Sequence, residues 1–368
     1  MKNILFILVA CLSLSCKKDQ PTLEDNSTPG NVSSYYFPDL NSTAWETQDM
    51  NDLNWSSVDT TELYNHLSQN GTRAFIILHR GKIVIEKYWG NNILNNAPFD
   101  ESSNWYWASA GKTITAFLTG IAQEKGLLDI NDKTSDYLGE NWTSAPLEKE
   151  SLITIKHQLT MTTGLDYNAS SHDCTSPSCL QYKIDAGGEW YYYNAPYTLL
   201  ESVISNASGL SYNDFTHQNL SSKIGMNGQW VPVSGKVVYL STARDAARFG
   251  LLLLNNGKWS TTKVMQDQNY FNAMTNTSQT LNPSYGYLFW LNGKSSIVFP
   301  GFPGSFNQPL SQHAPIDLYA GIGKNGQYLN IVPSRDLVVI RMGEAPDTSL
   351  VPTVFHDEMW EKINQIIN

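Results

Sequence analysis

The chain has 368 residues, of which 41% are hydrophobic and 12% aromatic, so it can bury a large core and is not intrinsically disordered. Charged residues make up only 16% and the formal net charge is −10, which argues against a nucleic-acid partner because phosphate-backbone binding needs a basic stripe. Four cysteines in so long a chain exclude a disulfide-built miniprotein, and no apolar run is long enough to span a bilayer as a helix.

The N-terminus carries Lys2, an apolar stretch from Ile4 to Leu14, and then Ser15-Cys16-Lys17-Lys18. A basic start, a short apolar region and a small residue before the cut describe a secretory signal. The stretch Leu12-Ser13-Leu14-Ser15-Cys16 resembles the lipobox of bacterial lipoproteins, which implies acylation at Cys16; Leu8-Val9-Ala10-Cys11 is the alternative, with a much shorter apolar region. Residues 1–16 are therefore expected to be a signal, and residues 17–34, rich in Ser, Asn and Pro, a flexible tether. The expectation is an exported bacterial envelope lipoprotein, facing periplasm or cell surface, whose membrane contact is the N-terminal lipid alone. Export leaves Cys174 and Cys179, in Cys174-Thr-Ser-Pro-Ser-Cys179, to form a disulfide. No neighbouring His/Cys set gives metal-ligand spacing, and no metal is expected.

Residues 35–60, with Trp45 and Trp55, predict an irregular segment anchored on the core by aromatics. Ala74–His79 and Lys82–Tyr88 predict a hairpin turning at Arg80-Gly81, where Gly supplies the positive φ of a two-residue turn. A helix is expected from Ser109 to Lys125, stopping at Gly126, with Ile114, Phe117, Leu118 and Ile121 on its buried face. Residues 120–275 read mostly as helical patches and loops. Strands are expected over Tyr285–Leu291, Leu318–Gly323, Tyr328–Val332 and Leu337–Met342, with a helix over 353–367. The expected fold is α/β (α+β), an antiparallel sheet built from both chain ends and flanked by helices, with a large, mostly helical insertion. Residues 35–368 read as one domain.

Three stretches carry the chemistry. In Ser109-Ala110-Gly111-Lys112 the helical spacing brings the Lys amine to the Ser hydroxyl, and an amine desolvated among apolar neighbours can take the hydroxyl's proton. The pattern alone is weak, since Ser15…Lys18 and Ser260…Lys263 match it, but only Ser109 opens a buried helix. The second stretch is Trp190-Tyr191-Tyr192-Tyr193-Asn194, and the third is Tyr319-Ala320-Gly321-Ile322-Gly323-Lys324.

Ser-x-x-Lys, then Tyr-x-Asn, then a Gly-rich strand edge near the C-terminus resembles the serine β-lactamase and penicillin-binding-protein superfamily. The likeness is closest to its class C, family VIII esterase and 6-aminohexanoate-dimer hydrolase branch. His157-Gln-Leu-Thr-Met-Thr-Thr-Gly-Leu165 and Asp245-Ala-Ala-Arg-Phe-Gly250 support it. The resemblance implies Ser109 as acylated nucleophile, Lys112 as its base, and Tyr192 as proton carrier. It implies that Asn194 holds Lys112 and the substrate, and that the backbone N–H groups of Ser109 and Ile322 form the oxyanion hole. Tyr319 and Gly321 are then expected to line the substrate. Where β-lactamases and transpeptidases carry Lys-Thr-Gly or His-x-Gly, this chain has Tyr319-Ala320-Gly321. The missing cation points away from β-lactams and towards a small ester or amide substrate. No cofactor is implied. The competing class is a non-catalytic envelope binding protein of the same fold.

Overall fold

The computed structural model describes residues 35–233 and 236–367. The signal, both lipidation candidates (Cys11 and Cys16) and the tether lie outside the described residues.

The strands are, in chain order, β1 (Thr72–His79), β2 (Lys82–Tyr88), β3 (Trp105–Tyr106), β4 (Gln229–Val233), β5 (Lys236–Ser241), β6 (Lys258–Trp259), β7 (Thr262–Lys263), β8 (Trp290–Leu291), β9 (Ile297–Val298), β10 (Ser305–Phe306), β11 (Tyr319–Gly323), β12 (Gln327–Val332) and β13 (Leu337–Gly343). The main sheet runs β2-β1-β13-β12-β11-β8, antiparallel throughout. Both chain ends build it, as expected, and the segment between them is largely helical. Arg80 (φ 48°) and Gly81 (φ 84°) are both left-handed, the backbone a two-residue hairpin turn demands. Along the outer edge of β2, Gln48 N–H donates to Ile83 O and Ile83 N–H to Glu46 O. This is how the aromatic N-terminal segment covers that edge.

Strand alternation explains the layers. On β12, Tyr328 and Asn330 face the C-terminal helix Thr353–Ile366, where Tyr328 packs on Phe355 and Asn330 bonds His356. Leu329 faces the opposite way, onto Gly250 of the Ala243–Leu254 helix. That helix starts with a capping box in which Thr242 and Asp245 satisfy each other's backbone N–H groups. Among the described residues, no helix is long and apolar enough to cross a membrane.

Two elements differ from expectation. The β4–β5 hairpin lies in the stretch expected to be mostly helical patches and loops, and Trp105–Tyr106 joins it from outside that stretch to make a small second sheet. Tyr285–Leu291 is a strand only at Trp290–Leu291. The chain before it folds back, with Leu288 left-handed (φ 59°) and Tyr285 bridged to Trp290.

Arg341 on β13 is fully buried yet satisfies its whole guanidinium. Nε donates to Thr72 Oγ1, Nη1 to Asn325 O and Gly326 O, and Nη2 to Asn70 O and Glu344 O. Burial lowers its pKa to about 10, so it stays charged at neutral pH. Its fork thus ties the turn after β11 to the start of β1. Arg341→Lys keeps the charge but has too few donors for these carbonyls. Urea unfolding should show a loss of about 3 kcal/mol, the range for a buried charged group stripped of partners. A loss below about 1 kcal/mol would mean that water replaces the missing bonds and Arg341 is no keystone.

Candidate active site

The chain reaches the site through β3. Ala108 then takes a left-handed conformation (φ 46°), and residues Ala108–Gly111 form a 3-10 turn that runs into the helix Lys112–Glu124. This helix is buried along nearly its whole length. The 3-10 turn before it carries Ser109, which is half-buried, while Lys112 at its start is only 2% exposed.

Lys112 Nζ donates to Ser109 Oγ at 2.9 Å and to Asn194 Oδ1 at 3.0 Å. It also lies over the rings of Tyr197 and Tyr192, 3.9 and 5.0 Å from their centroids. Burial dominates its electrostatics and lowers its pKa to about 7; the carboxylate of Asp173 opposes that shift and Lys236 reinforces it. A neutral amine is therefore available beside Ser109 near neutral pH.

The Tyr192 phenol neighbours the Ser109 hydroxyl and is held from behind, stacked on Trp290 at 5.7 Å and edge-on to Tyr285. Burial raises its pKa well above the usual phenol range, so it carries its proton at neutral pH. Its neighbours point elsewhere: Tyr191 stacks on Tyr167, and Tyr193 lies edge-on to His172. Of the three consecutive tyrosines, Tyr192 is the one beside Ser109.

Asn194 joins a chain of contacts that the sequence did not disclose. Its Nδ2 donates to Asp173 Oδ1 at 2.9 Å, and Asp173 Oδ2 pairs with Lys236 Nζ at 2.7 Å. Asp173 directly precedes the disulfide between Cys174 and Cys179. No spacing rule links Asp173 or Lys236 to Ser109, and neither belongs to a recognisable pattern.

The third stretch lies against the turn bearing Ser109. β8 pairs with β11 only at Tyr319 and Ala320, so beyond them no β8 pairing covers the edge from Gly321 to Gly323. A Cβ on Gly321 would sit 3.1 Å from Ala110 O, and one on Gly323 would sit 2.6 Å from Trp107 O and 3.0 Å from Ser109 N. Only glycine lets the strand come this close. The approach sets Ile322 at a free strand edge beside the turn bearing Ser109. Tyr319 corrects an expectation: its side chain is buried and its hydroxyl donates to Leu253 O, pinning the strand to a helix instead of facing substrate. Lys324 is exposed in the turn after β11. His313 pairs with Asp357 of the C-terminal helix. A cleft of about 540 Å³ lined by Glu124, Lys125, Lys223 and Lys263 lies at the far end of the nucleophile helix and includes none of these groups.

Gly323 has ordinary extended backbone (φ −118°), so its substitution tests space alone. Gly323→Ala should lose ~1–3 kcal/mol of stability through overpacking against backbone atoms. Gly304→Ala, where an added Cβ meets nothing within 4 Å, should lose almost none. Equal thermal midpoints for the two variants would show that the strand edge and the turn can separate freely.

Comparison with known proteins agrees with this fold. Residues 65–349 match the beta-lactamase family model. Two penicillin-binding proteins of Bacillus subtilis (strain 168), one of them designated PbpX, are 32% and 25% identical over 146 and 176 residues. Those stretches cover 35% and 45% of this chain but only 31% and 43% of the relatives' own lengths. Among solved structures, a Bacillus anthracis protein designated a 6-aminohexanoate-dimer hydrolase superposes with a TM-score of 0.67 at 18% identity, covering 90% of this chain and 89% of that one. A penicillin-binding-protein homologue from Caulobacter crescentus superposes with a TM-score of 0.64 at 12% identity, covering 83% and 96%. The structural matches speak to the fold, and the family model to descent: this chain belongs to the beta-lactamase family.

Proposed function

We propose that this chain is a serine hydrolase that cleaves a small ester or amide through an acyl group carried on Ser109. The observation that carries the reading is Lys112, sealed from water and bonded to both Ser109 Oγ and Asn194 Oδ1. Neutral Lys112 takes the hydroxyl proton as Ser109 Oγ attacks the carbonyl carbon. The carbonyl oxygen gains charge between the N–H groups of Ser109 and Ile322, a contribution usually worth about 3 kcal/mol in the transition state. The carbon–leaving-group bond breaks as Tyr192 gives its proton to the departing oxygen or nitrogen, and Lys112 returns the serine proton to Tyr192. Water then gives a proton to the same pair as its oxygen attacks the acyl carbon; the bond to Ser109 Oγ breaks as that proton passes to Oγ, and the acid leaves.

Neutral substrates fit this site best. The cation of the third stretch is absent, and Lys236 is already paired with Asp173. A substrate carboxylate would have to compete for it, and one left unpaired costs several kcal/mol. The designation of one structural relative as a 6-aminohexanoate-dimer hydrolase supports an amide as the bond cleaved. The penicillin-binding proteins matched in sequence support a second reading, a D-Ala peptidase or β-lactamase of the same fold. The N-terminal pattern supports action as a lipid-anchored envelope protein.

Ser109→Ala should abolish both turnover of a p-nitrophenyl ester and labelling by a fluorophosphonate, with no change in circular dichroism. Substantial turnover by that variant would remove the acyl-serine mechanism. On the same preparation, kcat/KM should be much higher for the ester than for nitrocefin; the reverse order would favour the β-lactamase reading, with Lys236 as the cation to mutate first. Because the working form of Lys112 is the free amine, kcat/KM should fall as pH drops through about 7. A flat profile between pH 5 and 8 would exclude Lys112 as the base.

A further inference from the structure

We propose that Asp173 is a positioning residue of this site, held in place by the Cys174–Cys179 disulfide, and that it fixes the amide of Asn194 with its oxygen turned to Lys112. The proposal rests on the serine hydrolase reading and extends it to a group outside the three sequence stretches.

An asparagine amide has two orientations of nearly equal shape, and its hydrogen-bond partners choose between them. Flipped, Asn194 would set its NH2 against the donating amine of Lys112 and its oxygen against a carboxylate. Asp173 forbids this, because an ionised carboxylate only accepts. Its Oδ1 takes the Asn194 Nδ2 proton at 2.9 Å, while its Oδ2 is held by Lys236 Nζ at 2.7 Å. Asp173 is largely shielded (27% exposed), whereas Lys236 reaches solvent (52%).

The loop around Asp173 is tied at several points. On one side, Ala195 N–H donates to His172 O at 2.8 Å, joining the loop to the residue after Asn194. On the other, Leu180 is fully buried with Trp142, Tyr193 and Ala195, and Ser144 N–H donates to its carbonyl. The disulfide closes the segment between these ties, and Ser170 Oγ donates to Cys179 Sγ at 3.2 Å. Without the disulfide, Asp173 would sit at the end of a seven-residue span, Asp173 to Cys179, rich in Ser and with one Pro.

The groups facing the Lys112 amine are Ser109, Tyr192, Asn194 and Tyr197, with Asp173 and Lys236 acting on it by charge. Asp173 therefore has two separable effects. Its oxygen orients Asn194, and its charge offsets that of Lys236.

The test uses the full chain, measuring ester turnover against pH and the rate of fluorophosphonate labelling. Asp173→Ala removes both effects, and kcat should fall at least 10-fold with KM within about 2-fold, as for loss of alignment at the reacting groups. Asp173→Asn keeps an accepting oxygen, so it should retain most of kcat. It leaves Lys236 unopposed, so the acid limb should move to lower pH. Cys174→Ser/Cys179→Ser should slow both reactions in the wild-type background and add nothing to Asp173→Ala, the non-additivity expected of groups acting through one contact. Wild-type kcat in Asp173→Ala overturns the proposal. So does an equal effect of the cysteine pair in both backgrounds, or an Asn variant as damaged as the Ala variant. If Asp173→Ala fails to fold, the cysteine pair decides: a lowered kcat in Cys174→Ser/Cys179→Ser supports the proposal and wild-type kcat overturns it. A wild-type protein that neither turns over ester nor takes the label removes the hydrolase reading itself, an outcome distinct from labelling that ignores Asp173.

Discussion

The site depends on an amine kept out of water. A lysine inside a protein loses its hydration and must be compensated by neighbours or give up its proton. Lys112 does some of both, with a hydroxyl and an amide oxygen in contact and the π faces of Tyr197 and Tyr192 around it. That requirement explains why the helix carrying it is buried on almost every side, and why so many aromatic rings gather behind it. Trp290, Tyr285 and Trp190 form a wall of rings around Tyr192, one of the two rings against the amine.

A second constraint is distance between backbones. The turn holding Ser109 touches a strand edge that has no side chain at Gly321 or Gly323. Such closeness needs a rigid strand, and the rigidity comes from two anchors on opposite sides. Tyr319 spends its hydroxyl on Leu253 O, and Arg341 clamps the carbonyls of Asn325 and Gly326 in the following turn. Both anchors lie within the protein, so the cleft edge is fixed by the core and not by the loops around it.

Much of this was legible in the sequence because it is local. The Arg80-Gly81 turn, the helix ending at Gly126, and the strands that became β11, β12 and β13 all follow from periodicity and punctuation within short windows. Ser109, Lys112, Tyr192 and Asn194 come together as their order along the chain implied. What stayed hidden is non-local or directional. Asp173 and Lys236 meet Asn194 across separations that no window contains. The phenol of Tyr319 turns to a helix carbonyl because strand alternation and core packing, not motif position, decide where it points. Trp105 pairs with Ser241 across the insertion, and the β-branched run Lys236–Ser241 was a strand signal overshadowed by its helical surroundings. Tyr285–Leu291 has the composition of a strand, yet Gly286 packs so close to Met274 O that the chain bends there.

The sheet order places β1 beside β13, so Thr72 lies opposite Gly343 near the other end of the chain. A growing polypeptide therefore displays its serine and lysine long before it possesses the edge that faces them. The glycine strand can settle only after β13 has joined the sheet and Arg341 has found the carbonyls it clamps. Closing so long a loop is slow compared with forming local helices. Assembly of the site is accordingly a late event of maturation: an unfinished or C-terminally clipped chain retains Ser109, Lys112, Tyr192 and Asn194 in its sequence and still lacks the strand edge that faces the serine turn.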